Sequence, residues 1–472
     1  MSAAAAELLA LVLAALAGLT GVLASAHALL NKRRPRAAFG WIAVCLTFPF
    51  AGALLYFLFG VNRIRRRARK LRGDAFHQAV PEARIAGVPP EHAELAALGQ
   101  RLSGQPLMAG VAIEPLHNGE QAFPAMLEAI DAARHRVLLG SYIFDTDDTG
   151  RAFADALGRA VARGVDVRVL LDGVGELYSF PRARRMLARR GVEVLRFLPP
   201  RLFPPSVMLN LRNHRKLLLV DGDLAFAGGM NISDRHLAAN GDARHRVVDV
   251  HFRLRGPVVA GLEDVFERDW AFAGGTETPP APPMPPALAG EAAARVIADG
   301  PDEPLDRLLL LLVGAVGMAR KRVLIMTPYF IPPRELLGAL QAAALRGVAV
   351  TIVLPAHNNL FYVHRAARHG LWELLQRGVR VYYQPGPFVH SKLFLVDDQY
   401  AQIGSANLDS RSLRLNFELI VEVYERAFVA RLYEHADAAC EGAHEVTLAE
   451  VDGRPLHTRL LDGLAWLFSP YL

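Results

Sequence analysis

The chain has 472 residues, 52% of them hydrophobic, with two cysteines and a formal charge of +6. That length holds more than one domain, the apolar content excludes a disordered or fibrous chain, and Cys45 and Cys440 lie too far apart for a disulfide scaffold or a metal-binding pair. The charge is not spread evenly: up to Arg72 there are eleven Lys and Arg against the single acid Glu7, a net +10, while the remainder holds 42 basic and 46 acidic residues, a net −4.

In chain order, residues 8–30 and 37–61 run for 23 and 25 residues without Asp, Glu, Lys or Arg, and each length predicts a membrane-spanning helix. The small-residue run LASAHA invites a cleaved secretory signal as the alternative for the first, but no positive charge precedes the apolar stretch. Residues 1–72 therefore read as a membrane anchor. Four basic residues lie in the connection NKRRPR and seven follow the second span. If both segments cross, the larger cluster sets the side and the body is cytoplasmic; a re-entrant hairpin is the alternative that puts both clusters on one side. The run RIRRRARKLR also suits anionic headgroups.

Residues 73–105 read as a polar linker. Apolar runs then alternate with helical patterns, the mark of an α/β fold, and do so twice. HRVLLGSYIF at His135 recurs as KRVLIMTPYF at Lys321, GVDVRVLLDG at Gly164 as GVAVTIVLPA at Gly347, and GVEVLRF at Gly191 as GVRVYYQ at Gly378. Residues 106–276 and 288–472 form two similar units, expected to pack face to face, joined by the Pro-rich stretch 277–287.

The repetition is strongest in NHRKLLLVDGDLAFAGGMNISD and VHSKLFLVDDQYAQIGSANLD, which carry His-x-Lys-x4-Asp as His214, Lys216 and Asp221 and as His390, Lys392 and Asp397. The histidines, lysines and the asparagines Asn231 and Asn407 share one offset of 176 residues. Residues two apart on a strand share a face, so His and Lys are expected to project together.

This pattern resembles the HKD motif of the phospholipase D superfamily, and the whole chain, from its two apolar segments to the apolar end LFSPYL, resembles bacterial cardiolipin synthases. The resemblance implies two pseudo-symmetric phospholipase D-like α/β halves. It also implies a phosphatidyl-histidine intermediate, no metal or cofactor, anionic phospholipid substrates (phosphatidylglycerol, cardiolipin), and a place in the bacterial inner membrane with the catalytic region cytoplasmic. His214 is assigned as nucleophile and His390 as acid and base, an order that the pseudo-symmetry leaves reversible. Lys216, Lys392, Asn231 and Asn407 supply donors to phosphate, and Asp221 and Asp397 complete the motif by bracing strand and turn. A carboxylate should orient each ring: Glu418 in copy two and Asp249 in copy one, with Asp242 as alternative because the spacings are 28 and 35 residues.

Tyr142 and Tyr329 end matching strands and either line the site or pack. The acidic run 145–148 reads as a turn and helix cap. His364 and His369 have no ligand spacing. The apolar insert 199–211, absent from copy two, is a candidate lip dipping into the bilayer. A phospholipase D hydrolase, a phosphatidylserine synthase or a synthase using phosphatidylethanolamine fits the same motifs. A nuclease finds no broad basic stripe outside the anchor, a non-catalytic scaffold would not need both motifs intact, and the CDP-alcohol phosphatidyltransferase motif is absent.

Overall fold

The computed structural model describes residues 3–32, 35–60, 88–200, 211–239, 246–276, 289–301, 303 and 306–469. The basic run 63–72, most of the insert 199–211, Asp242 and the Pro-rich connection 277–287 lie outside the described residues. The chain forms two compact units.

In the N-terminal unit, α1 (Ala3–Asn31) is followed by α2 (Pro35–Thr47), α3 (Pro49–Leu55) and a π turn, Tyr56–Gly60. Among the described residues, α1 holds the one helix long and apolar enough to cross a membrane. Its Leu8, Leu11, Leu19 and Leu23 are exposed, as a lipid solvent allows. The second apolar stretch departs from the expected spanning helix. Pro49 lacks the N–H that a continuous helix would use, and Phe48 before it sits at φ −127°, ψ 73°, so the stretch breaks into helices of 13 and 7 residues. At about 1.5 Å per residue neither crosses a core of about 30 Å. The pieces fold back on α1 and on each other. A Cβ on Gly52 would collide with Val44 O and one on Gly21 with Cys45 O, while Lys32 Nζ donates to Gly60 O at 2.6 Å. The stretch thus returns to the end of α1 that it left.

The larger unit begins inside the expected linker, where α4 (Ala93–Ser103) sends Leu95 and Ala96 into the core of the second half. The first half is β1 (Met108–His117), α5 (Asn118–Ala132), β2 (Arg136–Ser141), α6 (Asp148–Ala162), β3 (Asp166–Asp172), α7 (Ala183–Ala188), β4 (Glu193–Phe197), β5 (Leu217–Val220), β6 (Leu224–Gly228), β7 (Val247–Val248), β8 (Val250–Arg255) and α8 (Val258–Phe272). The second opens with β9 (Ala292–Asp299), α9 (Arg307–Met318), β10 (Arg322–Met326), β11 (Phe330–Ile331), α10 (Arg334–Leu345), β12 (Ala349–Pro355), α11 (Phe361–Leu375) and β13 (Arg380–Gln384). It closes with β14 (Phe388–Val389), β15 (Leu393–Val396), β16 (Tyr400–Gly404), β17 (Leu408–Asp409), β18 (Glu418–Tyr424), α12 (Arg426–Glu441), β19 (His444–Glu445), α13 (Leu448–Asp452) and α14 (Leu456–Leu467).

Parallel ladders join β2 to β3 and β4, and β10 to β12 and β13, as expected for apolar strands separated by amphipathic helices. The repeat is written in the strand order. One 15-stranded sheet reads β1-β8-β6-β5-β2-β3-β4 in one direction from its centre and β9-β18-β16-β15-β10-β12-β13-β19 in the other. β1 and β9 pair antiparallel at that centre, which relates the copies by an approximate two-fold axis. The halves therefore join edge to edge rather than simply face to face, because pairing β1 with β9 satisfies two sheet edges at once. One shared core unites them, with Phe266 of α8 and Phe428 of α12 packed over strands of both copies.

Candidate active site

Both motif histidines sit in extended segments just before β5 and β15, outside the ladders on which the sequence reading set them. Each segment is hydrogen-bonded across the two halves. His214 N–H donates to Phe417 O at 2.9 Å and Phe417 N–H to Arg212 O at 2.8 Å. In the mirrored arrangement β14 pairs in parallel with β7, and His390 N–H donates to Val248 O at 2.8 Å.

In both cases the accepting residue immediately precedes a carboxylate, so that carboxylate reaches the histidine ring of the opposite half. His214 Nδ1 lies 3.2 Å from both Glu418 oxygens, and His390 Nδ1 lies 2.9 Å from Asp249 Oδ2. The expected pairing of Glu418 and Asp249 with the histidines of their own copies is thereby corrected. The unequal spacing has a local cause: copy one carries seven more residues before its carboxylate than copy two. With Nδ1–H given to a carboxylate, Nε2 keeps its lone pair.

The small-residue turn also acquires a reason. Ser405 of GSAN donates to Glu418 Oε2 at 2.6 Å, and a Cβ on Gly229 of GGMN would collide with the Asp249 carboxylate. Asn416 Nδ2 donates to the other Glu418 oxygen at 3.1 Å.

Lys216 Nζ donates to His214 O at 2.7 Å and lies 5.2 Å from the Tyr142 ring centroid. Lys392 Nζ donates to His390 O at 2.5 Å and stands 3.0 Å from His390 Nδ1 and 3.3 Å from its Nε2. Both lysines are buried, and burial pulls Lys216 down to about 7 and Lys392 to about 8. Burial also holds both histidines below their ordinary value, with each further depressed by the lysines of both halves. Burial alone would raise Glu418, but His214 and Lys216 outweigh it and leave that carboxyl below the usual range; burial raises Asp249. The result is a buried pair of neutral imidazoles, each flanked by a lysine, suited to an anionic phosphodiester.

Residues 126–270 and 312–439, which contain both His-Lys pairs, match the family described as cardiolipin synthase, PLD-like domain, and residues 21–60 match the phospholipase D-nuclease N-terminal family. The sequence is 34% identical to cardiolipin synthase A of Pseudomonas entomophila, over 96% of each chain. It is 32% identical to the cardiolipin synthase of Geobacillus thermodenitrificans, over 94% of this chain and 90% of the relative. The chain belongs to the cardiolipin synthase, phospholipase D-like family. Its fold is also that of the phosphatidylserine synthase of Haemophilus influenzae, at 17% identity and TM-score 0.62 over 80% of this chain and all of that one.

In this member of the cardiolipin synthase family, four of the six motif residues gather and two do not. Asp221 and Asp397 lie at the far ends of β5 and β15 from the histidines, each at φ 52°. Asp221 accepts the backbone N–H groups of Arg134, His135 and Arg136, and Asp397 those of Arg320, Lys321 and Arg322. Asn231 Oδ1 accepts Ile143 N–H at 3.2 Å, and the buried Asn407 Oδ1 has no hydrogen-bond partner among the described residues. Tyr142 meets His214 edge-on at 5.1 Å and Tyr329 meets His390 at 6.5 Å between ring centroids.

Within the acidic run, Asp147 caps α6 through Gly150 N–H and Asp145 accepts Ser179 Oγ at 2.7 Å. His364 and His369 pack beside Tyr383 and Trp466.

Two neighbours escaped the sequence reading. His236, pulled to about 3 by burial, accepts Asn231 N–H at Nε2 with its ring 6.4 Å from that of His390; nothing in DRHL marks it. Asp172, raised to about 6 by burial, accepts the N–H of Asn213 before the motif and of Val174 and Gly175 after β3. An acid ending the buried run VLLD was its available signal.

Proposed function

We propose that this chain makes cardiolipin and glycerol from two phosphatidylglycerols by transfer of a phosphatidyl group through His214. The observation that carries the reading is the crossed pair of carboxylate-histidine contacts, which leaves two Nε2 atoms for one phosphodiester. His214 Nε2 attacks phosphorus as His390 delivers a proton to the departing glycerol oxygen. The phosphorus–oxygen bond breaks and a phosphatidyl-histidine remains. His390 then takes the proton from a hydroxyl of the second phosphatidylglycerol, that oxygen attacks phosphorus, and the phosphorus–nitrogen bond breaks. Lys216, Lys392, Asn231 and Asn407 face the phosphate oxygens as charge builds there. A phosphate held between the rings supplies the negative charge that lets the buried His390 hold its proton. Glu418 and Asp249 orient the rings through their contacts with Nδ1.

The α1–α3 unit supports a membrane location with the larger unit on the cytoplasmic side. Because the hairpin leaves and returns at one end of α1, Lys32 and Gly60 lie on the same side, and a single cytoplasmic side for the basic residues of this region accords with the positive-inside tendency. Phosphatidylglycerol vesicles carrying labelled headgroup and acyl chains, incubated with the full chain and EDTA, test the reaction. Labelled cardiolipin and free glycerol are expected, and phosphatidic acid alone would replace transfer by hydrolysis. His214→Ala should abolish the covalent phospholipid adduct; an adduct lost only in His390→Ala would exchange the two roles.

A further inference from the structure

The larger unit carries exposed apolar side chains that the chemistry does not use, and they are clustered. On α14, Leu456, Leu460, Leu464 and Leu467 are exposed, and their spacing of four, four and three residues puts them on one helical face. The opposite face of α14 packs on α11, where Ala465 and Trp466 lie against the group of Ile331, Val363 and Tyr329. In the first half, the loop after β3 raises Phe180, 89% exposed. Tyr178 of that loop lies 6.3 Å from Tyr142, the ring beside His214. Aromatic rings thus lead from the Phe180 loop through Tyr178 and Tyr142 to His214, and from α14 through Trp466 and Tyr329 to His390.

Charge follows the same pattern in both places. The last twenty residues hold one acid, Asp462, which is fully buried and paired with Arg365 and Arg454, while Arg459 is exposed on α14. The loop's acid, Glu176, is likewise buried beside Arg184 and Arg196, with Arg184 and Arg185 exposed. Apolar tips edged by cations, with the acids turned inward, suit an anionic bilayer surface, where leucine and phenylalanine enter the acyl boundary and arginine reaches the headgroups.

We infer that the exposed face of α14 and the Phe180 loop together form a bilayer-docking surface around the active-site entrance, so that a phosphatidyl headgroup reaches the histidines from the membrane plane. The inference extends the phosphatidyl-transfer reading, and its first test reads lipid contact whether or not transfer occurs.

The full chain, with Cys45 and Cys440 replaced by alanine, is given a single environment-sensitive fluorophore at Phe180→Cys, Leu460→Cys or Arg134→Cys. It is then reconstituted in phosphatidylglycerol/phosphatidylcholine vesicles with nitroxide-labelled acyl chains. Quenching is expected at 180 and 460 and not at 134, whose backbone is tied to Asp221 at the strand ends remote from His214. Quenching at only one of the two, or at neither above the level at 134, would overturn the proposal. Leu460→Asp with Leu464→Asp should raise KM for vesicle phosphatidylglycerol about tenfold and leave turnover of a micellar short-chain substrate unchanged. An equal loss on both substrates would reduce α14 to a structural helix and overturn the docking role.

Discussion

Glu418 is buried, shared by Ser405, Asn416 and His214, and charged by virtue of its cationic neighbours. Replacing it by glutamine keeps the shape and removes the charge that fixes the His214 tautomer. Glu418→Gln should slow formation of the phosphatidyl adduct by ~10³-fold in single-turnover measurements, with substrate binding little changed. The lysines set a pH dependence. Burial holds Lys216 near 7 and Lys392 near 8, so the empty site sheds their protons as pH rises through that window, whereas an exposed lysine keeps its proton to about 10.4. A bound phosphodiester favours the protonated forms. Affinity for a phosphodiester substrate analogue should therefore be greatest below pH 7 and decline above it, with net proton uptake on binding at pH 8. Calorimetry in two buffers of different ionisation enthalpy measures that uptake, and none would exclude the lysines from the phosphate site.

At the scale of elements, a single proline changes the membrane unit. Residues 37–61 have the length of a span, but Pro49 and the backbone contact at Gly52 turn them into a hairpin whose two ends meet at Lys32 and Gly60. Cysteines introduced at Arg34 and Arg66 should react with a membrane-impermeant maleimide from the same side, in inverted vesicles, and one at Ser2 from the opposite side. Labelling of 34 and 66 from opposite sides would restore two spans. The histidine segments show the complementary effect. Their positions are fixed by short cross-half bridges, with Phe417 for His214 and Val248 for His390. The motif aspartates act a strand length away by holding the backbone that leads into β2 and β10.

For the molecule as a whole, the candidate active site exists only because two copies are joined. At the join, Arg295 of β9 stands opposite Glu422 of β18, fully buried, with an ion pair of 2.6 Å and further bonds to Ala96 O of α4 and from Tyr400 to Glu422. Arg295→Met would strand a buried carboxylate and should cost about 3–5 kcal/mol of stability, read as a lower denaturant midpoint of the full chain in detergent. Adding Glu422→Gln should return most of that loss.

The amino-acid sequence by itself determined the tandem α/β halves, the His-Lys pairs at one offset and an apolar anchor, because these rest on periodicity and repetition that survive without coordinates. It also made Glu418 a candidate carboxylate, and Asp249 or Asp242 the other. Which histidine each would meet was decided only in the tertiary structure, since spacing along one copy says nothing of bonds formed across the copies by residues 141 and 204 positions apart. The fold likewise decided that β1 and β9 fuse the sheets, that His236 and Asp172 stand by the site, and that an apolar run of spanning length turns back on itself. Each depends on contacts remote in sequence, where burial and backbone pairing outweigh local pattern.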